Sequence, residues 1–505
     1  MPVAAFSDSW MPVGRWSAGT AAVTGIHRGY LKDVHAAVEL ARRFNREVIR
    51  PLALDLDAKV SDDPLALPRE FVDEATRWGL YTRWIPRSFG GGGMSFLSLN
   101  AFVEELSSEC VGLANVVGVH YLGVASLAAT WNLALCAKIF GDVIDAEKVG
   151  KPCLISLAIT EPEAGSDAEE VELADVGRPR TRAVRTAGGY SLTGRKCFIS
   201  NGHLATWTVV VTCEDPTNVS NTAIVLAVKT GAEGFTFGTQ ERKMGQKACV
   251  ASELIFDEVH IPDEDVALDR RLTAGMARSH RDIAQVALDY CVAATRAGVA
   301  AFAAGVANGA YHAAYEYARD KQLPDGGRFI ELQWVQTGLA DMARNASIAR
   351  TVYLESTYAN TMGGLYSALG SAPLLWLERL YPPAVLRRLA AKPVRSRTLN
   401  KFVRDQFLGR YPVERQRMTS GLGSMAKVTA SDLAVQNAHL AMDLLGSDAL
   451  RHEYGIEKRL RDAKLLQIYE GTNQINRVNV FKCRVREDES MRIFVREDSK
   501  SGAAA

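Results

Sequence analysis

The chain lacks the patterns that mark common metal and disulfide chemistry. Its eight cysteines (Cys110, Cys136, Cys153, Cys197, Cys213, Cys249, Cys291 and Cys483) include no Cys-x-x-Cys pair and no short framework spacing. Scattered thiols of this kind read as reduced residues of a cytoplasmic enzyme, not as a disulfide scaffold. Nine histidines form no His-Glu-x-x-His run and no Cys/His cluster, so no metal site is expected. No uninterrupted apolar run approaches the roughly 18 residues of a spanning helix, so no membrane span is expected. The first residues, MPVAAFSDSWMPVG, lack the basic start and apolar stretch of a secretory signal. Charge of one sign is also missing overall. A net charge of +1 argues against a chain-wide nucleic-acid or membrane-surface role.

What is present is a long chain of ordinary globular composition, 505 residues with 47% apolar and 23% charged. That length suggests two to four domains. Residues 1–29, rich in Gly, Ala, Ser and Thr, read as a loosely held arm. Residues 30–150 follow the helical period; VHAAVELARRFNREVIRPLA sets Val34, Val38, Ala41 and Phe44 on one face. The four glycines of IPRSFGGGGMS mark a loop. Residues 151–270 are short runs of branched residues punctuated by Gly, Asn, Asp and Pro, which suits a small antiparallel barrel or sandwich. Residues 271–505 return to helix, beginning with a long Ala-rich stretch from about Asp282 to Lys321. The expected architecture is mostly α: an N-terminal helical bundle, a central antiparallel β-barrel, and a C-terminal four-helix-type bundle.

One segment departs from the balance. Between Trp376 and Arg417 stand eleven Lys or Arg residues against three Asp or Glu. Such a run is usually a solvated helix face. Its single-signed excess keeps an anionic partner in view.

Four stretches could carry chemistry. In LLQIYEGTNQINR, Glu470 follows an apolar lead-in and precedes Gly471. It reads either as a helix-end residue or as a base whose desolvation strengthens it, with Gly471 allowing close approach of a ligand. In LAITEPEAGSD, Thr160, Ser166 and the amides near Gly165 form a donor-rich turn or a plain loop with a capping box. In GRKCFISNG, strand alternation puts Phe198 and Ser200 on one face. That pair could hold a planar heterocycle or be an ordinary buried Phe beside a satisfied Ser. KMGQKACVASELIFDEVHIP runs from a loop into a strand.

In this order and spacing, ITEPEAGSD, KCFISNG, KMGQ…FDEVHIP and RLRDAKLLQIYEGTNQINR resemble the acyl-CoA dehydrogenase flavoprotein family. The resemblance covers roughly residues 30–480 except for the basic segment, which stands as an insertion at about 363–417. It implies FAD as cofactor and an acyl thioester as substrate, carried on CoA or an acyl carrier protein. An electron-transfer flavoprotein or oxygen would take the electrons, and a homodimer or homotetramer would be the assembly. It implies that Glu470 is the catalytic base. Thr295, followed by Arg296, occupies the helix position some members use for the base, so Glu470 has no competitor. Ala158, Ile159 and Thr160 match contacts to the flavin pyrimidine edge. Gly165 and Ser166 belong to the same cofactor loop, Ser166 lying between flavin phosphate and substrate. Phe198 matches an aromatic residue packed on the flavin, and Ser200 a hydroxyl at flavin N5. Tyr469 and Gly471 flank the base against the substrate. Thr472 and Gln474 match contacts to the same subunit's FAD, and Gln333 one to the neighbour's.

The residue types suit the implied reaction. Removing an α-proton needs a base; the β-hydride needs an acceptor that no side chain provides; the developing enolate oxygen needs donors. The chain departs from the family at two places. RDKQLPDGGRF leaves Lys321 where an Arg stands and lacks the following Phe-Gly, and DLLGSDAL keeps Gly446 with Asp443 in place of a Gln. Both fall on contacts to the neighbouring subunit's flavin. A flavin-dependent oxidase or oxygenase on the same fold, and a flavin-poor non-catalytic subunit, are the competing readings.

Overall fold

The computed structural model describes residues 28–63, 65–165, 175, 179–363 and 380–485. The first helical layer begins with α1 (Arg28–Phe44) and α2 (Arg50–Asp62). Pro51 cannot donate a helical hydrogen bond, and the chain absorbs this in a π turn at Asn45–Ile49 closed by Arg50 N–H to the Asn45 carbonyl. After α3 (Arg69–Arg77) the four-glycine loop folds back on residues 82–85. A Cβ at Gly91 would fall on the Ile85 carbonyl and one at Gly92 on that of Arg83, so this loop cannot carry side chains there. Next come α4 (Phe96–Ala128), whose helical backbone breaks at Cys110 (φ −153°, ψ 104°), and α5 (Leu133–Lys148).

Eight strands follow: β1 (Leu154–Ala158), β2 (Arg182–Thr186), β3 (Gly189–Ser200), β4 (Ala205–Cys213), β5 (Ala223–Lys229), β6 (Phe235–Gln240), β7 (Ala251–Pro262) and β8 (Val266–Leu268). They form one sheet in the order β6-β7-β3-β2-β4-β5-β8, with β1 on β4. The expected antiparallel barrel is corrected here: the sheet is open and mixed, because β1 and β2 both run parallel to β4. Its inner face is closed by Tyr190, Leu192, Val210, Leu226, Leu254 and Phe256.

The C-terminal layer is built on α6 (His280–Asp320), which lies against α4, α7 (Gln333–Gly363) and α10 (Val413–Leu445). Small residues let these helices approach closely; a Cβ at Gly305 would strike the Glu104 carbonyl of α4. Both α4 and α6 are long and apolar enough to cross a bilayer, contrary to the reading that no such stretch exists. Of each apolar window 89% is buried within the protein, which makes them core helices. Among the described residues, two short helices, α8 (Pro383–Ala390) and α9 (Arg397–Arg404), stand between α7 and α10. Their inner side is latched to the first layer and to the helical turn Arg270–Thr273 that follows β8. Arg387 holds Asp145 through two bonds of 2.7 and 2.8 Å, and Asn400 Oδ1 accepts from Leu133 N–H at the start of α5 at 2.8 Å. Arg404 donates to the carbonyls of Thr130 and Leu272 at 3.0 and 3.1 Å. The described residues close with α11 (Ile456–Leu465), α12 (Asn473–Val480) and a π turn at Phe481–Val485.

Candidate active site

The turn between α11 and α12 sets the candidate base. The last helix before Glu470 stops at Leu465. Glu470 (φ 55°) and Gly471 (φ 74°) then adopt left-handed backbone in succession. For a residue with a Cβ that conformation costs about 1–2 kcal/mol. Groups beneath the turn hold it. Lys427 of α10, fully buried, donates to the Gly471 carbonyl at 2.6 Å and to Asn473 Oδ1 at 2.8 Å. Asn476 Nδ2 donates to the carbonyls of Glu470 (3.2 Å), Gly471 (2.9 Å) and Thr472 (3.1 Å). Arg296 reaches the Glu470 carbonyl at 3.4 Å and anchors on Ser424 at 3.0 Å. Above the turn, the Thr295 hydroxyl donates to Glu470 Oε2 at 2.6 Å.

The Glu470 carboxylate lines a cavity enclosing about 1260 Å³ free of protein atoms, part of it open to solvent. One wall is apolar and comes from α4 and α6, including Leu99, Val103, Val299 and Phe302. The loop after β1 and the end of β3 supply the other: Ile159, Thr160, Gly165, Phe198 and Ser200.

Phe198 and Ser200 share the cavity, but not by simple alternation. The β3–β7 register shifts between Lys196 and Ile199, and Phe198 sits at φ 58° with 59% of its surface exposed. A bulge therefore turns the ring out of the strand and toward the cavity. The Thr160 loop is pinned from below. Lys196 Nζ donates to the Ile159 carbonyl and to Glu161, both at 2.7 Å, and Cys197 N–H donates to the Thr160 carbonyl at 3.0 Å. Burial pushes the Glu161 carboxyl upward, yet the Lys196 ammonium and the N–H groups of Arg180 and Thr181 outweigh it. They hold Glu161 below the usual carboxylate range. The KMGQ stretch is a dock. Gln246 donates from Nε2 to the Asp462 carbonyl at 2.9 Å and to the Tyr469 hydroxyl at 3.3 Å, joining sheet and turn. Burial drives the Tyr469 phenol well above its ordinary pKa.

Of the residues singled out in the sequence, Ile159, Thr160, Gly165, Phe198, Ser200, Thr295, Tyr469 and Glu470 meet at this cavity. Ala158 does not; its side chain is in the sheet core. Arg296 and Gly471 lie behind the base rather than in the lining. Thr472 caps α12 through its hydroxyl, which accepts from Ile475 N–H at 3.3 Å, and Gln474 and Gln333 are exposed. Lys321 ends α6, 26 residues beyond Thr295 and so about 40 Å along the helix. There it joins Tyr317 and lies 3.8 Å from Asp448, near Gly446. Ser166 lies outside the described residues. Sequence reading missed Lys427, Asn476, Lys196 and Glu161. A signal existed for Lys427: it shares a helical stripe with the small residues Ser420, Ser424, Ser431 and Ala434, all buried.

An all-helical body interrupted by a sheet, with a carboxylate and an exposed aromatic sharing one apolar cavity, defines a class of enzyme able to take up a flat cofactor beside its substrate. The acyl-CoA dehydrogenase N-terminal, middle and C-terminal domain models match residues 32–138, 156–259, and 285–372 with 409–482. The chain belongs to the acyl-CoA dehydrogenase family, whose members are oxidoreductases acting on CH–CH donors. The cyclohex-1-ene-1-carbonyl-CoA dehydrogenase of Syntrophus aciditrophicus is 27% identical over 444 residues, 87% of each chain. Butyryl-CoA dehydrogenase from Megasphaera elsdenii shares the fold at a TM-score of 0.67 and 23% identity, covering 89% of this chain and 97% of that one. The FAD complex of PigA shares it at a TM-score of 0.62 and 20% identity, over 89% and 96%. The C-terminal match skips the stretch between residues 372 and 409, where α8 and α9 lie.

Proposed function

We propose that the protein is an FAD-dependent α,β-dehydrogenase of acyl thioesters in which Glu470 removes the α-proton. The observation that carries this reading is that Glu470, positioned by Thr295, lines the same cavity as Phe198, Ser200 and Thr160 on the sheet side. The cavity fits a flavin by its donor set and shape. An exposed aromatic ring on left-handed backbone offers a flat platform, with the hydroxyls of Thr160 and Ser200 beside it. Bound FAD supplies the acceptor for the β-hydride.

The chain's own residues do the rest. The α4–α6 wall takes the acyl group and excludes water, which strengthens every charge interaction within. Thr295 holds one carboxylate oxygen by a charge-assisted hydrogen bond, which fixes the orientation of the base at the cavity. Lys427, Arg296 and Asn476 fix the turn so that the base does not retreat from the acyl group.

Retention of the base distinguishes this reading from an oxygenase, which has no need of it. None of the eight cysteines is in a disulfide, which suits a reducing, cytoplasmic compartment. Self-association would cover exposed apolar residues such as Trp334 and Phe481. The test is spectroscopic. Purified protein should show flavin absorption that bleaches on anaerobic mixing with members of an acyl-CoA panel. Flavin-free protein, or flavin that no thioester bleaches, contradicts the proposal, and oxygen uptake coupled to turnover points to an oxidase.

A further inference from the structure

We infer that the outer face of α8 and α9 is a docking surface for an acidic acyl-carrier protein that delivers the thioester to the cavity. The inference rests on the dehydrogenase reading above. It starts from a segment that the family's C-terminal domain model skips. The inner side of this segment is consumed by Arg387, Asn400 and Arg404, which latch it to the rest of the fold. What remains outward is one-signed. Arg388, Lys392, Arg395 and Arg397 are all exposed, and none forms an ion pair with a carboxylate among the described residues; Lys401, also exposed, stands near Asp405. Leu389 and Phe402 stand among them, 61% and 60% exposed. Cations left without counter-charges repel one another, and an opposite surface relieves that repulsion while steering its own approach. Two large apolar side chains within a charged rim give such a contact a desolvated centre.

Two features favour a small acidic protein over an anionic bilayer. Carboxylates border the patch: Asp145 is held by Arg387, and Asp405, directly after α9, by Arg410. A flat anionic sheet would press against these as well as the cations, whereas a compact acidic domain can seat between them. The second feature is position. Beyond α9 the chain passes directly to Leu408 and Tyr411, which pack with Ala125 and Cys291. Those two residues line the cavity. A partner on α8 and α9 therefore sits a short way from the acyl site, and free CoA would have no use for the apolar centre.

The test compares one enzyme with two carriers. The holoenzyme and an Arg388→Glu/Arg395→Glu/Arg397→Glu variant are mixed anaerobically with a panel of acyl groups. Each group is presented on CoA and on a purified acidic acyl-carrier protein. The expected result is that the carrier thioester bleaches the wild-type flavin. Its kcat/KM should fall roughly tenfold or more in the variant and in about 0.5 M NaCl, while the acyl-CoA value stays within twofold. A wild-type enzyme that ignores the carrier thioester, or equal losses on both carriers, overturns the inference. So does charge-dependent sedimentation with phosphatidylserine vesicles alongside unchanged carrier kinetics, which reassigns the face to a bilayer. No bleaching on either carrier in the wild type sinks the dehydrogenase reading itself, and the docking inference with it.

Discussion

Lys427→Met tests whether the turn beneath the base is part of the machinery. The substitution keeps the length of the side chain and removes its charge at a fully buried position. Two hydrogen bonds vanish, to the Gly471 carbonyl and Asn473 Oδ1. Each bond to a charged group is worth about 1.5–3 kcal/mol. Both acceptors keep a second donor, Asn476 for Gly471 and Ser431 for Asn473, and removing a buried ammonium also removes its desolvation cost. The net loss of stability should therefore be modest, about 1–3 kcal/mol. The larger effect falls on geometry. Glu470 holds left-handed backbone at a cost of about 1–2 kcal/mol, and a weakened clamp lets it relax. A displacement of about 1 Å at a reacting group can cost on the order of a hundredfold in rate. Stopped-flow bleaching at saturating acyl thioester should accordingly slow by about two orders of magnitude, with flavin content per chain unchanged. A rate within twofold of wild type would refute the clamp, and loss of flavin would assign Lys427 to cofactor retention.

Other substitutions read different parts of the site. Thr295→Val removes the donor that favours the ionised form of Glu470, so the acid limb of the bleaching-rate profile should move to higher pH, with recovery at alkaline pH; an unmoved limb contradicts that role. Lys196→Met strands the buried Glu161 carboxylate and should cost about 3–5 kcal/mol in urea unfolding at neutral pH, whereas a cost below 1 kcal/mol would show the pair to be dispensable. In the wild type Glu161 is held below its unfolded value of about 4.3, so its contribution is present above that pH and lost as pH falls through the folded value. The Glu161 share of the acid loss in thermal melts should therefore appear only below about pH 4. Gly91→Ala drives a Cβ onto the Ile85 carbonyl and should destabilise by about 3 kcal/mol or more; wild-type stability would mean the loop shifts freely.

How much of this was legible depended on how local each signal was. The helix of α6 announced itself because its Ala-rich run is long and contains no proline. Glu470 was legible because an apolar lead-in and a glycine bracket it. Pairing direction was not. The buried runs of β1 and β4 look alike whichever way they lie, so their parallel register emerges only in three dimensions. The bulge at Phe198 was invisible for a related reason: strand alternation assumes an unbroken register, and the shift lies in how β3 meets β7. The start of α10 at Val413 was hidden by Arg415 and Arg417, which read as part of the basic segment. Lys427 and the Lys196–Glu161 pair are joined to their partners across long sequence separations, which periodicity cannot see. That α4 and α6 are apolar enough to span a bilayer by length and composition escaped notice because scattered polar residues interrupt their apolar runs.

The most direct measurement is anaerobic flavin bleaching by acyl thioester in the Glu470→Gln variant. The amide keeps the size of the side chain but accepts no proton. The account predicts wild-type flavin content, retained thioester binding as a shifted flavin spectrum, and bleaching slowed by at least about a thousandfold. Bleaching at the wild-type rate would remove Glu470 from the chemistry and contradict the account.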